Sequence, residues 1–168
     1  VHRASPCIRV PDQRHIRYQD VRDLKQVITT ELNMEGNPID SFIDLALEVL
    51  PAQVTLVPDA HDALTSNSGW DTKAHQKFLS EVIATFKAKG IRTSIFVDPD
   101  PEMIRYAAET GADRVELYTE SYASGYAAGR EKAIAPFVAT AEEAVKYGLG
   151  VNGGHDLSLE NPALFRQD

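Results

Sequence analysis

Arg114-Val115-Glu116-Leu117-Tyr118-Thr119 is the stretch on which the fold turns. Val115 and Leu117 mark it as a strand with a buried face. Side chains alternate along a strand, so Glu116 shares the opposite face with Arg114 and Tyr118. An open sheet with helices on both sides has little room for such a charged row. The interior of a closed parallel barrel accepts polar groups near its catalytic mouth. Glu35 and Asp98, at the ends of two other strands, point the same way.

Working outward, strands fall near residues 31, 53, 92, 114 and 149, with helical patterns between them. Leu32 and Met34 alternate with Asn33 and Glu35. Asn37 and Pro38 read as the cap and first residue of a helix burying Phe42, Ile43, Leu45, Ala46 and Val49. Residues 72–89 form an amphipathic pattern through Phe78, Leu79, Val82, Ile83 and Phe86. Asp100-Pro101-Glu102 opens another helix, which Gly111 ends. A loop rich in Ser, Tyr and Gly then leads to a helix reaching Tyr147, which Pro136 should start, kink or interrupt. Before all of these, Asp20 can cap a short helix carrying Val21, Leu24, Val27 and Ile28. Regular βα alternation requires parallel strands and right-handed crossovers. An open doubly wound sheet fits within 168 residues, whereas a complete barrel takes about 250. The charged inward row decides for an α/β fold of the (β/α)8 TIM-barrel class, present as an incomplete barrel of about five to six βα units. Residues 1–168 read as one domain, with 1–10 an irregular or rearranged N-terminal piece.

Composition bounds the function. Hydrophobic residues are 43% and charged residues 25% of the chain, ordinary for a globular protein. The net charge of −8 argues against a general nucleic-acid surface. It leaves room for phosphorylated small molecules, which a few local cations and backbone amides can hold. No apolar run approaches the ~20 residues of a membrane span, and no secretory leader is evident. The single cysteine, Cys7, fits a reducing cytoplasm. A first residue of valine reads as a fragment or a processed end.

Nucleotide-binding and zinc signatures are absent: there is no G-x-G-x-x-G at a strand-to-helix turn, no phosphate-binding G-x-x-x-x-G-K-[ST], no H-E-x-x-H and no C-x-x-C. His61, His75 and His155 would form a metal cluster only by tertiary accident. Val151-Asn152-Gly153-Gly154-His155-Asp156-Leu157 is more informative. A short buried strand runs into two glycines, whose turn can expose amides to a ligand, followed by a histidine that titrates near neutrality. The plain alternative is a strand-to-helix loop with a surface histidine. Glu35, Glu116 and His155 each lie in or at the end of a parallel strand, and in a barrel those ends converge. Two carboxylates and an imidazole can divide the acid, base and electrostatic roles. Taken singly, Glu35 also reads as an exposed loop acid, and Glu116 as half of a buried ion pair with Arg114.

Five motifs occur in order: Pro11-Asp12-Gln13-Arg14-His15-Ile16, Glu31-Leu32-Asn33-Met34-Glu35, Val54-Thr55-Leu56-Val57-Pro58, Thr65-Ser66-Asn67-Ser68-Gly69-Trp70-Asp71 and Val151-Asn152-Gly153-Gly154-His155. Together they closely resemble the pyridoxine 5′-phosphate synthase family of vitamin B6 biosynthesis, from about Pro11 to the C-terminus. The resemblance implies a cytoplasmic (β/α)8 barrel, usually a homo-octamer, that needs no metal or organic cofactor. It implies condensation of 1-deoxy-D-xylulose 5-phosphate with 3-amino-2-oxopropyl phosphate to pyridoxine 5′-phosphate, phosphate and water. Glu35 then resembles the general base, His155 the proton donor and Glu116 the acid that stabilises the transition state. His15 and Thr65 match positions holding the deoxyxylulose phosphate. Asp156 matches a position touching the amino-ketone phosphate, where the contact is expected from the backbone.

The family's first strand, with its Asn-x-Asp-His motif, and its last, ending in Gly-His, have no counterpart in this sequence. A histidine and an arginine of its second strand would fall on Ile8 and Val10. His2 and Arg9 stand out of register and are left unassigned. These departures imply little or no synthase activity for the 168 residues alone. They leave a second class of reading: a catalytically inactive barrel fragment acting as a binding or oligomerisation module.

Overall fold

The computed structural model of the chain describes residues 16–58 and 68–154. Helix α1 (Tyr18–Val27) leads into β1 (Asn33–Gly36), α2 (Asp40–Val49), β2 (Gln53–Leu56), α3 (Gln76–Lys87) and β3 (Arg92–Val97). There follow α4 (Pro101–Glu109), β4 (Arg114–Leu117), α5 (Glu120–Gly125), α6 (Arg130–Lys146) and β5 (Gly150–Gly153). The five strands form one sheet in the order β1-β2-β3-β4-β5, and every neighbouring pair is parallel. Sequential order without a reversal is what successive right-handed βα units of a barrel produce. It contains none of the switch points that define doubly wound sheets.

The two faces of the sheet differ in chemistry. Met34, Val54, Leu56, Ile95, Val97, Val115 and Leu117 join one apolar core with Phe42, Leu45, Leu79, Ile83, Phe86 and Ile104 of the helices. Phe42 and Phe86 meet edge to face there, with centroids 6.4 Å apart, a favourable arrangement for aromatic rings. The alternate strand positions carry Asn33, Gln53, Thr55, Ser94 and Glu116, all buried. Phe96 lies outside the apolar core, against Tyr118 at 5.3 Å. The expected polar inward row therefore exists and extends across four strands.

Several local expectations are corrected. Asp20 is not the cap of α1 but its third residue. Its carboxylate accepts the Arg17 amide at 2.9 Å and also the guanidinium. Val27 is 73% exposed and leaves the apolar stripe. Helix α2 starts at Asp40 after Ile39 rather than at Pro38, because the Asn37 carbonyl is taken by the Ile39 amide at 2.8 Å in a tight turn. The pattern over 72–89 begins as turns, and regular helix runs only over α3. Phe78 is largely outside the core, resting on Trp70 with centroids 6.1 Å apart.

The Ser/Tyr/Gly-rich segment is not a loop throughout. It forms α5, because Tyr122 is fully buried against Tyr126 and Phe137, and that packing outweighs weak helix propensity. Pro136 neither starts nor breaks α6; the helix runs through it, held by buried Phe137, Thr140 and Ala144. After Gly148, at φ 75°, Leu149 is buried. The rest of the stretch expected as a short buried strand, β5, is instead half-exposed, because it forms an edge of the described sheet.

Candidate active site

Glu35 lies on β1 and Glu116 on β4, with β2 and β3 between them, yet one hydrogen-bonded network reaches both. Asn33 Nδ2 donates to Glu35 Oε1 at 3.1 Å. Asn33 Oδ1 accepts from Thr55 Oγ1 at 3.1 Å. The same hydroxyl lies 3.5 Å from Glu116 Oε2. Below it, Gln53 Nε2 reaches Thr55 Oγ1 at 3.5 Å, and Gln53 Oε1 accepts from Arg92 Nε at 2.7 Å. Arg92 is held in turn by Glu31, with its NH2 group 2.7 Å from Oε2. Alternation explains why the sequence does this. Residues 33 and 35, 53 and 55, and 114 and 116 are two apart, so each pair falls on one face.

The electrostatics follow from the enclosure. Burial first, and the Glu116 charge second, push the Glu35 carboxyl up from 4.5 to about 8, against the lowering effect of the Asn33 bond. Like-charged carboxyls in a low-dielectric site resist joint ionisation. A carboxyl poised near neutrality can take and return protons at physiological pH. Arg114, on the same face as Glu116, reaches Asn152 Oδ1 at 2.8 Å and so ties β4 to β5.

A second feature sits at the C-terminal ends of β2 and β3. The Trp70 amide donates to the Phe96 carbonyl at 2.8 Å, and its indole Nε1 donates to the Leu56 carbonyl at 3.1 Å. Trp70 thereby fastens the chain following residue 67 onto two strand ends. Thr72 adds a bond to the Met103 carbonyl at 2.6 Å.

Of the six residues singled out in the sequence, the structure brings Glu35 and Glu116 to one face. His15, Thr65, His155 and Asp156 lie outside the described residues. So does His61. His75 precedes α3, with its ring 5.2 Å from that of Trp70 and Nδ1 beside the Asp71 carbonyl at 3.0 Å. Among the described residues, no group of three or more His, Cys, Asp or Glu is arranged to hold a metal ion, and no helix is long and apolar enough to cross a membrane. Sequence reading assigned no role to Asn33, Gln53, Thr55 or Arg92. Their signal was present all the same, as polar residues two apart inside short apolar strands.

A family model described as "Pyridoxal phosphate biosynthesis protein PdxJ" matches residues 8–167. The pyridoxine 5′-phosphate synthase of Christiangramia forsetii is 61% identical over 158 residues, covering 94% of this chain and 67% of that protein. The pyridoxine 5′-phosphate synthase of Flavobacterium johnsoniae is 60% identical over 158 residues, with the same coverage. That of Parabacteroides distasonis is 61% identical, covering 94% of this chain and 66% of that protein. The chain thus spans about two thirds of the length of these relatives. Among solved structures, a mutant flavocytochrome b2 with pyruvate bound overlays 91% of this chain and 40% of that one, with a TM-score of 0.52 at 16% identity, a likeness of fold alone. With nearly its whole length matched by one family, the chain belongs to the pyridoxal phosphate biosynthesis protein PdxJ family.

Proposed function

We propose that this chain supplies the central βα units of a pyridoxine 5′-phosphate synthase, built as a (β/α)8 barrel. In this reading it joins 1-deoxy-D-xylulose 5-phosphate and 3-amino-2-oxopropyl phosphate, closing a pyridine ring and releasing phosphate and water. The observation that carries it is the Glu35–Glu116 pair on the polar face, with Glu35 raised to about 8. Imine formation and ring closure need repeated proton transfers and dehydrations, for which a base poised near neutrality is suited. Glu35 removes protons, His155 returns them, and Glu116 stabilises the charge that develops between. His15 and Thr65 hold the deoxyxylulose phosphate, and the backbone at Asp156 contacts the amino-ketone phosphate. The family resemblance extends the reading to a cytoplasmic homo-oligomer with one domain across the chain and no metal or organic cofactor.

Single-turnover assays with both substrates, on the chain carried within the full length of a relative, test this. Glu35→Gln and His155→Asn should each depress turnover by about 10²–10⁴-fold, with substrate binding little changed. Near-normal turnover in both variants would remove these residues from the mechanism.

A further inference from the structure

The interior network has a direction. Arginine only donates hydrogen bonds and an ionised carboxylate only accepts, so with Glu35 ionised the two ends of the chain fix the middle. Glu31 accepts from Arg92, and Arg92 donates to Gln53 Oε1. The Gln53 amide must then turn its Nε2 toward Thr55. At the other end, Asn33 directs Nδ2 to Glu35 and so offers Oδ1 to Thr55. Thr55 has one hydroxyl proton and two acceptors beside it, Asn33 Oδ1 at 3.1 Å and Glu116 Oε2 at 3.5 Å. Given to the nearer one, that proton completes a run in which every donor points from the Glu31–Arg92 ion pair toward Glu35. Aligned hydrogen bonds polarise one another in a low-dielectric interior.

We propose that Thr55 is a positioning residue for the reaction: it joins the chain running from Arg92 through Gln53 and Asn33 to Glu35, and its hydroxyl holds the Asn33 side chain with Nδ2 turned toward the Glu35 carboxyl. The proposal rests on the reading of Glu35 as the base. Thr55 does not itself meet substrate; it sets the state in which Glu35 waits. It is 1% exposed, and its neighbours on β1 and β2 are nearly as enclosed, so water cannot easily substitute for the hydroxyl. Among the described residues, the other charged or titratable groups that strand alternation puts on this face are Glu116, Arg114 and Tyr118 of β4, Arg92 of β3 with Asp98 just beyond its end, and Glu31 just before β1. Arg92 is paired with Glu31 and Arg114 is bonded to Asn152. The polar neighbours on β2 and β5 are uncharged.

The test is a carboxyl-carbon NMR titration of the chain without substrate, with Glu35 and Glu116 assigned from Glu35→Gln and Glu116→Gln. The two signals should share their inflections, as coupled groups do. Thr55→Val keeps the shape and deletes the donor. It should move the principal Glu35 inflection upward by about one pH unit or more, while Thr55→Ser restores it. Thr55→Cys, a much weaker donor, should give the same upward shift and covers the case in which the valine variant does not fold. An unmoved Glu35 inflection in a folded Val or Cys variant would overturn the proposal. So would a shift that serine fails to reverse, which would mark a packing effect. Because no turnover is read, the result is separate from whether the chain is a synthase. In the synthase assay, Thr55→Val should move the acid limb of the kcat profile upward with KM little changed, whereas the drop in turnover of Glu35→Gln tests the function.

Discussion

Gly69 lies directly against the backbone of Val97: a Cβ at position 69 would come within 2.4 Å of Val97 Cα and 2.2 Å of the Asp98 nitrogen. Only a residue without a side chain permits that approach. The contact lets Trp70 bond to the ends of both β2 and β3, so this glycine fixes where the segment after residue 67 meets the sheet. Gly69→Ala should therefore lift Trp70 from its seat. Trp70 is the chain's single tryptophan and is 8% exposed. Its fluorescence should shift to the red and become more quenchable by iodide, with far-UV circular dichroism nearly unchanged. An unshifted spectrum would show that the strand ends can yield at no cost to the clamp.

Stability should depend on pH through Glu35. Its carboxyl ordinarily titrates at 4.5 and in the fold at about 8, chiefly through burial. Between those values the folded chain binds more protons than the unfolded chain. This contribution is therefore complete below about pH 4.5 and is lost as pH rises toward about 8. Glu35→Gln should flatten that part of the profile and raise the thermal midpoint most at pH 8. Equal pH slopes in the two proteins, followed by calorimetry, would contradict it.

Removing the Glu116 charge should ease the ionisation of its neighbour. Glu116→Gln deletes the second cause of the Glu35 shift, so the Glu35 inflection should move down, toward but not reaching its ordinary value, because burial remains. Carboxyl NMR reads this directly. A rise instead would mean that Glu116 was helping Glu35 to ionise.

Asp113 works in the opposite sense. Burial pushes its carboxyl up, but the Thr93 amide at 2.8 Å, Lys87 at 3.1 Å and the Thr93 hydroxyl at 3.0 Å together hold it below its usual range. Its stabilisation is present above the ordinary aspartate range and is lost as pH falls through the lowered value. Asp113→Ala should cost about 1–2 kcal/mol at neutral pH and less in acid, measured by urea unfolding at both conditions.

Pro136 lies within α6 on its exposed side. Proline there lacks one helical hydrogen bond and crowds the preceding turn, a cost of about 3 kcal/mol. It recovers roughly 0.4–1 kcal/mol by stiffening the unfolded chain. Pro136→Ala should thus raise the urea midpoint, by about 1–2 kcal/mol in stability once partial relaxation of α6 around the proline is allowed for. A lower midpoint would mean that Pro136 itself helps to seat Phe137.

The sequence by itself determined the alternation of strands and helices, and the polar row of Arg114, Glu116 and Tyr118. It also put Glu35 in or at the end of a strand, without deciding between an inward carboxyl and an exposed loop acid. These follow from a period of two within strands and from turn residues between elements, both local properties. It did not determine that residues 120–125 form a helix or that α6 runs through Pro136. Those outcomes rest on Tyr122 and Phe137 finding burial among residues remote in the chain. Nor could it show that Thr55 stands between Asn33 and Glu116, 22 and 61 residues away in sequence. Hydrogen bonds across strands depend on register, and register is set only when the helices pack on the other face of the sheet. The charge of Glu35 belongs to the same class. A carboxylate's ordinary value is written in its residue type, but its rise to about 8 is the work of enclosure and of a second carboxylate that only the folded sheet brings near.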